Sequence, residues 1–247
     1  MNQDKFYKKK EANSFYNRWK INGATNSFVN NGLNKYQKAL RPYKKEILDV
    51  LKSKVNIKKK KVLEVGSFIG DLLWELKKEH KCDVYGVEPS SLACSHSKRY
   101  YGLQIENSTF LESSFFNLSK KNKEKFDIII CDDVLSWIDR SCILSCIAVM
   151  DWILKPKGHI FIRDYSPSYN FAIINHHCQK EKIYNFKQKD GHAKFFLDSG
   201  KYSKIYNKKY ISSKYQNVSI ENKMALTISD IIIEKDINFT HTIKKFK

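Results

Sequence analysis

The chain has 247 residues, 42% hydrophobic and 13% aromatic, enough for one α/β domain with a full core and too few for two comfortable ones. Its formal net charge of +19 points first to nucleic acid, yet only five of its 45 basic residues are arginine (Arg18, Arg41, Arg99, Arg140 and Arg163). The lysines are scattered along the whole sequence and lack the planar fork with which arginine reads bases and phosphates, so a solvated lysine surface is favoured over a nucleic-acid groove.

Residues 1–55 read as an N-terminal helical cap. Phe6, Tyr7, Phe15, Tyr16 and Trp19 stand among lysines, and residues 13–19 form a candidate flap over the sheet or the ligand. A helix from about Tyr36 to Lys54 follows, with Leu40, Tyr43, Ile47, Val50 and Leu51 at helical spacing. Residues 56–166 then alternate. Strands are expected at Lys61–Val65, Asp83–Val87, Phe126–Cys131 and His159–Arg163, and helices at Asp71–Glu79, Ser90–Tyr101 and Asp139–Leu154. The turn Lys155-Pro-Lys-Gly158 ends the last helix. Such alternation predicts a Rossmann-like, mostly parallel sheet flanked by helices. In residues 167–247, the acceptor-side region, strands are expected near Lys194–Leu197, Asn217–Glu221 and Thr227–Ile233, the last two antiparallel and closing a seven-stranded sheet. The whole reads as a single domain.

Six cysteines (Cys82, Cys94, Cys131, Cys142, Cys146 and Cys178) show no disulfide rhythm and read as reduced thiols. Cys142 and Cys146 lie one helical turn apart, a spacing assigned to core packing rather than to a metal pair. The start Met1–Lys5 is polar, and no stretch approaches the ~20 apolar residues of a membrane span, so a cytoplasmic protein is expected.

The segment 62–70, Val-Leu-Glu-Val-Gly-Ser-Phe-Ile-Gly, is an apolar strand running through a glycine turn into a helix. Gly66 permits a sharp turn and a close backbone approach, and Gly70 lets the helix start near the strand. Glu88 ends the next strand 22 residues after Gly66, where an acid can hydrogen-bond a ribose diol, and Pro89 turns the chain away. The Gly-x-x-x-Gly spacing places Ser67 and Phe68 where a dinucleotide site uses an extra glycine to bring amides onto a pyrophosphate. The pattern suits a nucleoside ligand without phosphate.

Glu64-x-Gly66-x-x-x-Gly70 resembles motif I of the class I S-adenosylmethionine-dependent methyltransferases, and Val87-Glu-Pro-Ser90 their acidic second motif. Phe126–Trp137 resembles the fourth-strand motif, and Ile153-Leu-Lys-Pro-Lys-Gly158 the turn before the fifth strand. The matches cover about residues 60–165 and most resemble the small-molecule (type 11/12-like) branch. The resemblance implies that the cofactor is S-adenosylmethionine. It implies that Glu64, Gly66, Ser67, Phe68 and Gly70 lie at its amino-acid part, with Glu88 and Pro89 at the ribose. Ser113, Ser114 and Phe115 would lie by the adenine, and Asp132 beside the methionine end. Ser113 or Ser114 stands where an acid is often found near the adenine, and Lys157 replaces the first glycine of the turn.

Displacement at a methyl sulfonium needs no protonation of the leaving group, so a base is required only for a hydroxyl or protonated amine acceptor. Candidates are Asp164, His176 and His177, with Tyr165 and His192 nearby; no metal is assigned. The favoured activity is methyl transfer to a small molecule, a sugar or other metabolite. The runners-up are an RNA methyltransferase, motivated by the charge, and a catalytically silent cofactor-binding scaffold. A nicotinamide oxidoreductase would call for pyrophosphate-cradling glycines.

Overall fold

The computed structural model describes residues 12–14, 16–17, 40–174, 182–185, 187, 189–211 and 226–236. Helix α1 (Pro42–Lys54) buries Ile47, Leu48 and Leu51, and leads into strand β1 (Lys61–Val65). Helix α2 (Asp71–His80) starts at Gly70 and connects to β2 (Asp83–Val87). Ser90 caps helix α3 (Ser91–His96) by accepting from the Ala93 amide, and a wider π-helical turn, Ser97–Tyr101, continues it. Strand β3 (Phe126–Asp132) is followed by α4 (Arg140–Ile153), whose Asp139 cap accepts from the Ser141 amide. Next come β4 (Leu154–Tyr165), the hairpin β5 (Phe171–Ile174) and β6 (Lys182–Asn185), the single-turn α5 (Lys194–Leu197), β7 (Tyr202–Ile211) and β8 (Thr227–Lys235).

The main sheet has the order β2-β1-β3-β4-β8-β7, with β1 to β4 parallel and β8 antiparallel to both its neighbours. It has six strands among the described residues, where seven were expected. Among the described residues, the sheet continues beyond β2 as one parallel bridge, Val87 to Glu106. The run Lys194–Leu197, expected as a strand, is α5: it follows a turn through Asp190, at φ +67°, and packs Phe196 on Tyr202 at 5.1 Å. A four-residue apolar run fits helix and strand equally well, and here the preceding turn decides. The expected strand at Asn217–Glu221 lies outside the described residues. Strand β7, not foreseen, forms the sheet edge and exposes Lys204, Lys208 and Lys209, charges that discourage further strand pairing. Residues 155–158 leave the β3–β4 ladder as a bulge, with Lys157 at φ +60°.

Strand alternation sorts the core onto two faces. Val62, Ile128, Ile130, Phe161 and Ile232 pack with Ile47, Leu51, Leu72 and Leu76 on the α1 and α2 side. Leu63, Ile129, Cys131, Ile160, Ile162, Ile231 and Ile233 pack with Met150 and Ile153 on the α4 side. Both faces of β1 and β3 are buried, as helix-covered parallel strands require. By the same alternation Glu64, Asp132, Arg163 and Asp230 fall on the α1 side, whereas Asp164 falls on the α4 side. Asp132 pairs with Arg163, and Arg163 with Asp230, in the ladder.

Candidate active site

The site is built at the carboxyl ends of β1, β2, β3 and β4, where open α/β sheets bind their ligands. After β1 the chain turns at Gly66, φ +70°; a Cβ there would lie 2.5 Å from Val134 Cγ2, in the loop after β3. Gly70, φ +75°, leaves no room for a Cβ beside Ile105 and Ser97. Phe68 also stands at positive φ, +51°, buried against Tyr16 and under the Arg41 guanidinium. The amides of this loop face inward. Those of Gly66 and Ser67 donate to the Val87 carbonyl, that of Gly70 to Ser67, and that of Phe68 to Glu88 Oε2 at 2.9 Å. Ser67 also turns its hydroxyl inward, against Gly86. A pyrophosphate would need those amides turned outward.

Glu88 is buried at the end of β2 and accepts from the Phe68 and Ser90 amides, one on each oxygen. Burial pushes its carboxyl up to about 7 against those two bonds. Each carboxylate oxygen has a second lone pair, so capacity for ribose hydroxyls is left. The Glu88 and Pro89 carbonyls are held by Asn107 Nδ2 at 3.0 and 3.1 Å. Asn13 and Tyr16 cover this corner: Asn13 Oδ1 accepts from Ser90 Oγ, Ser91 Oγ and the Leu92 amide, and the Tyr16 hydroxyl meets His96 Nδ1 at 3.0 Å.

On the α1 side the charges pair as the sheet register dictates. Arg41 grips Asp71 through Nε and Nη2 at 2.7 and 2.6 Å. Arg163 grips Asp230 likewise at 2.8 and 2.7 Å and donates to the Tyr43 carbonyl. Between them Lys44 Nζ lies 2.6 Å from Glu64 Oε1 and 2.8 Å from Asp132 Oδ2. Burial alone would lower the Lys44 ammonium, but Asp132 and Glu64 more than reverse this. Burial pushes Glu64 up to about 7 despite Lys44. Glu64 Oε2 is buried and has no hydrogen-bond partner among the described residues.

The residues assigned to the adenine lie beside β2. Ser114 donates its amide and hydroxyl to the Glu106 carboxylate at 2.6 and 2.7 Å, and the Ser113 hydroxyl bonds the Phe110 carbonyl. The Phe115 ring is in the core, edge-on to Tyr85 and Phe126. Glu106 thus sets an acid against Ser114, one of the two serines expected to stand in the acid's stead.

On the α4 side Asp164 is buried and accepts from the Ser136 amide and hydroxyl and from the Tyr165 amide. Burial pushes its carboxyl up to about 6. His192, also buried, meets Arg140 Nη1 through Nε2 at 3.0 Å. A guanidinium only donates, so Nε2 accepts and the ring proton of neutral His192 sits on Nδ1, 3.7 Å from Asp164 Oδ2. Burial, then Arg140, holds the imidazole down at about 3. Arg140 also donates twice to the Tyr184 carbonyl, tying α4 to β6. His176 and His177 lie outside the described residues. Among those residues, no group of three His, Cys, Asp or Glu side chains is arranged for a metal ion, and no helix is long and apolar enough to cross a membrane.

Sequence reasoning missed Arg41, Lys44, Arg163 and Asp230, as well as Glu106. Arg41 and Lys44 carry a faint signal: the first turn of α1 holds no acid, although a helix N-terminus favours one.

These features are those of a class I methyltransferase fold, and sequence comparison agrees. The family described as "Methyltransferase domain" matches residues 56–222, well over half of the chain. The chain belongs to this family. No curated protein matches its sequence. Among solved structures it is similar to magnesium protoporphyrin IX methyltransferase of Synechocystis PCC 6803, solved with S-adenosylmethionine (TM-score 0.60, 13% identity, 96% of this chain and 98% of that one). It is also similar to the 1,6-didemethyltoxoflavin-N1-methyltransferase of Burkholderia thailandensis, solved with bound 1,6-didemethyltoxoflavin and S-adenosylhomocysteine (TM-score 0.57, 13% identity, 92% of this chain and 88% of that one). A third is a methyltransferase of Archaeoglobus fulgidus (TM-score 0.52, 15% identity, 78% and 94%). At these identities the likeness is one of fold.

Proposed function

We propose that this methyltransferase moves the methyl group of S-adenosylmethionine to a small-molecule acceptor. The observation that carries the reading is the chemistry of the site: inward-turned loop amides, and buried acids at the ends of β1, β2 and β3. That donor set fits a phosphate-free, cationic nucleoside and does not fit a dinucleotide. When bound, the cofactor supplies a methyl group on a positively charged sulfur that leaves without a proton.

In this reading Glu88 accepts from the ribose hydroxyls, with Pro89 shaping the turn. Glu64, Gly66, Phe68 and Asp132 surround the amino-acid end, while Ser67 and Gly70 hold the loop in shape from beneath. Ser113, Ser114 and the Phe115 backbone flank the adenine. The enzyme's main work is alignment of nucleophile and methyl, which is worth about 7–11 kcal/mol of barrier at best. Three protein donors already hold Asp164, so we assign it to positioning the Ser136 turn rather than to proton transfer. His176 and His177 are the proposed bases for an acceptor that must lose a proton. We read the chain as one domain, with a cap over 1–55, a cofactor core over 56–166 and an acceptor side over 167–247. The five described cysteines are free thiols, in keeping with a place in the cytoplasm.

Calorimetry with S-adenosylhomocysteine tests the cofactor, with NAD as the control. Binding of the first and not the second is expected, and Glu88→Ala should weaken it at least tenfold. An unchanged affinity in that variant would overturn the ribose assignment. Turnover in a metabolite screen is expected; steeply salt-dependent retention on RNA without metabolite turnover would favour a nucleic-acid acceptor instead.

A further inference from the structure

The polar group on the α4 side is balanced in charge but incomplete in hydrogen bonds. Arg140 carries one positive charge, ionised Asp164 one negative charge, and neutral His192 none. Among the described residues His192 Nδ1 has no hydrogen-bond partner, and neither have two other buried atoms, Ser166 Oγ and Asn185 Nδ2. Their residues are 3%, 1% and 2% exposed. The three belong to one corner of the fold. Ser166 follows β4, and a Cβ on Gly191, the neighbour of His192, would lie 3.7 Å from Ser166 Cβ. Asn185 follows Tyr184, whose carbonyl shares the Arg140 guanidinium with His192. Buried polar groups are normally paired, so three in one corner call for a partner.

The two central residues complement each other. Arg140 donates to His192 Nε2, which occupies the ring's lone pair and leaves the imidazole a donor at Nδ1 and no base. Burial and Arg140 hold the ring down at about 3, so it stays uncharged. On Asp164, Oδ1 accepts from the Ser136 hydroxyl and the Tyr165 amide, and Oδ2 accepts from the Ser136 amide. A carboxylate oxygen has two acceptor sites, so Oδ2 keeps one to offer. From His192 Nδ1 to Asp164 Oδ2 the distance is 3.7 Å, too long for a hydrogen bond. One oxygen at about 2.8 Å from each atom spans that gap, provided that it accepts from the first and donates to the second. A hydroxyl does both. A carboxylate has no proton for Asp164, an ammonium opposes the His192 N–H, and an ether or carbonyl oxygen serves His192 alone.

We propose that His192 and Asp164 together read a hydroxyl group of the methyl acceptor, whose oxygen accepts from His192 Nδ1 and whose O–H donates to Asp164 Oδ2. The hydroxyl is an anchor and not the methylated atom, because His192 has its basic nitrogen occupied and Asp164 is already held by three donors. His192 is thereby a positioning residue that selects a hydroxylated acceptor. Ser166 and Asn185 offer donors to a second oxygen of the same molecule. The corner adjoins the cofactor loop, since Ser136 lies two residues beyond Val134, on which Gly66 packs. This inference rests on the cofactor reading above.

The test is NMR of the full chain carrying isotope-labelled histidine, saturated with S-adenosylhomocysteine. From pH 5 to 8 the His192 ring, assigned by its loss in His192→Gln, should be neutral with its proton on Nδ1. Cyclohexanol and phenol should shift its signals saturably, and their methyl ethers and benzoate should bind at least tenfold more weakly. His192→Phe should weaken binding of both alcohols at least fivefold by calorimetry, and His192→Gln, which keeps an N–H donor, should restore part of it. Ethers that bind as well as the alcohols overturn the inference, and so does tighter binding of benzoate or a ring proton on Nε2. No shift with any probe also overturns it, the result expected of a corner filled by a structural water alone. All of these are wild-type readings, so a variant that fails to fold does not shelter the inference. If S-adenosylhomocysteine itself fails to bind, the cofactor reading falls, and the assignment of this hydroxyl to a methyl acceptor falls with it.

Discussion

Gly66→Ala separates two reasons for glycine at the turn after β1. The first is backbone conformation: at φ +70° an L-residue pays about 1–2 kcal/mol. The second is space, because a Cβ would lie 2.5 Å from Val134 Cγ2, an overpacking that costs about 1–3 kcal/mol. The single variant should therefore lose about 2–5 kcal/mol of stability, the sum of those two ranges. Val134→Ala removes the offending methyl, and the next contact, Val134 Cβ at 3.7 Å, is ordinary. In that background Gly66→Ala should cost only the backbone part, leaving a coupling of about 1–3 kcal/mol between the sites. Urea unfolding of the wild type, the two single variants and the double variant measures it. A coupling below about 0.5 kcal/mol would refute the steric account and leave the turn's conformation as the whole reason for the glycine.

Further outcomes follow from the same geometry. Glu88 titrates at about 7 because it is buried, and hydroxyl donors favour its ionised form, so S-adenosylhomocysteine affinity should rise from pH 6 to 8 and Glu88→Gln should flatten the rise. For stability the sign is opposite. The folded value exceeds the ordinary 4.5, so the folded state holds the proton longer, and this group's contribution declines from about pH 4.5 to 7 and is level above; parallel urea melts of wild type and Glu88→Gln would expose the difference. Arg163→Leu strands buried Asp230 and should cost about 3–5 kcal/mol, most of it recovered when Asp230→Leu is added. A double variant as unstable as the single one would show that the Tyr43 carbonyl, and not Asp230, is the partner that matters. Phe68→Gly relieves a positive φ worth about 1–2 kcal/mol but empties a buried aromatic site worth about 3–5, so net destabilisation is expected, and a higher melting temperature would contradict that balance.

The parallel half of the fold was legible because β1 and β3 are buried on both faces and read as continuous apolar runs bounded by turns. The glycine turn and Glu88 were legible from spacing. What escaped was set by tertiary register. Strand β7 shows no clean alternation, since one side is an exposed, lysine-rich edge. Lys44 was counted among solvated lysines, and nothing local distinguishes it from Lys45, which is exposed. Only the parallel register, which places Glu64 and Asp132 on one face beneath α1, makes it a buried cation. Glu106 was overlooked because its strand is a single bridge, too short to leave a periodic signature.

The same alternation that sorts the core also divides the chemistry. Along β4 the last apolar residue on the α4 face is Ile162, and the next two positions are Arg163 and Asp164, one on each face. Arg163 joins the charged layer under α1, which continues through Asp132 and Lys44 to Glu64. Asp164 joins Ser136, with His192 and Arg140 close by, in the layer toward β6. One strand end therefore braces both polar groups, and each is anchored to backbone that the other also needs. A change of packing around α1 should be felt at the Ser136 turn through β4, with no contact between the two side-chain sets. In the proposed reaction the donor belongs to the first layer and the acceptor to the second, and methyl transfer crosses the edge of the sheet between them. On that geometry, exchange of residues 167–197 for those of a family member should alter the acceptor while leaving S-adenosylhomocysteine affinity near the wild-type value.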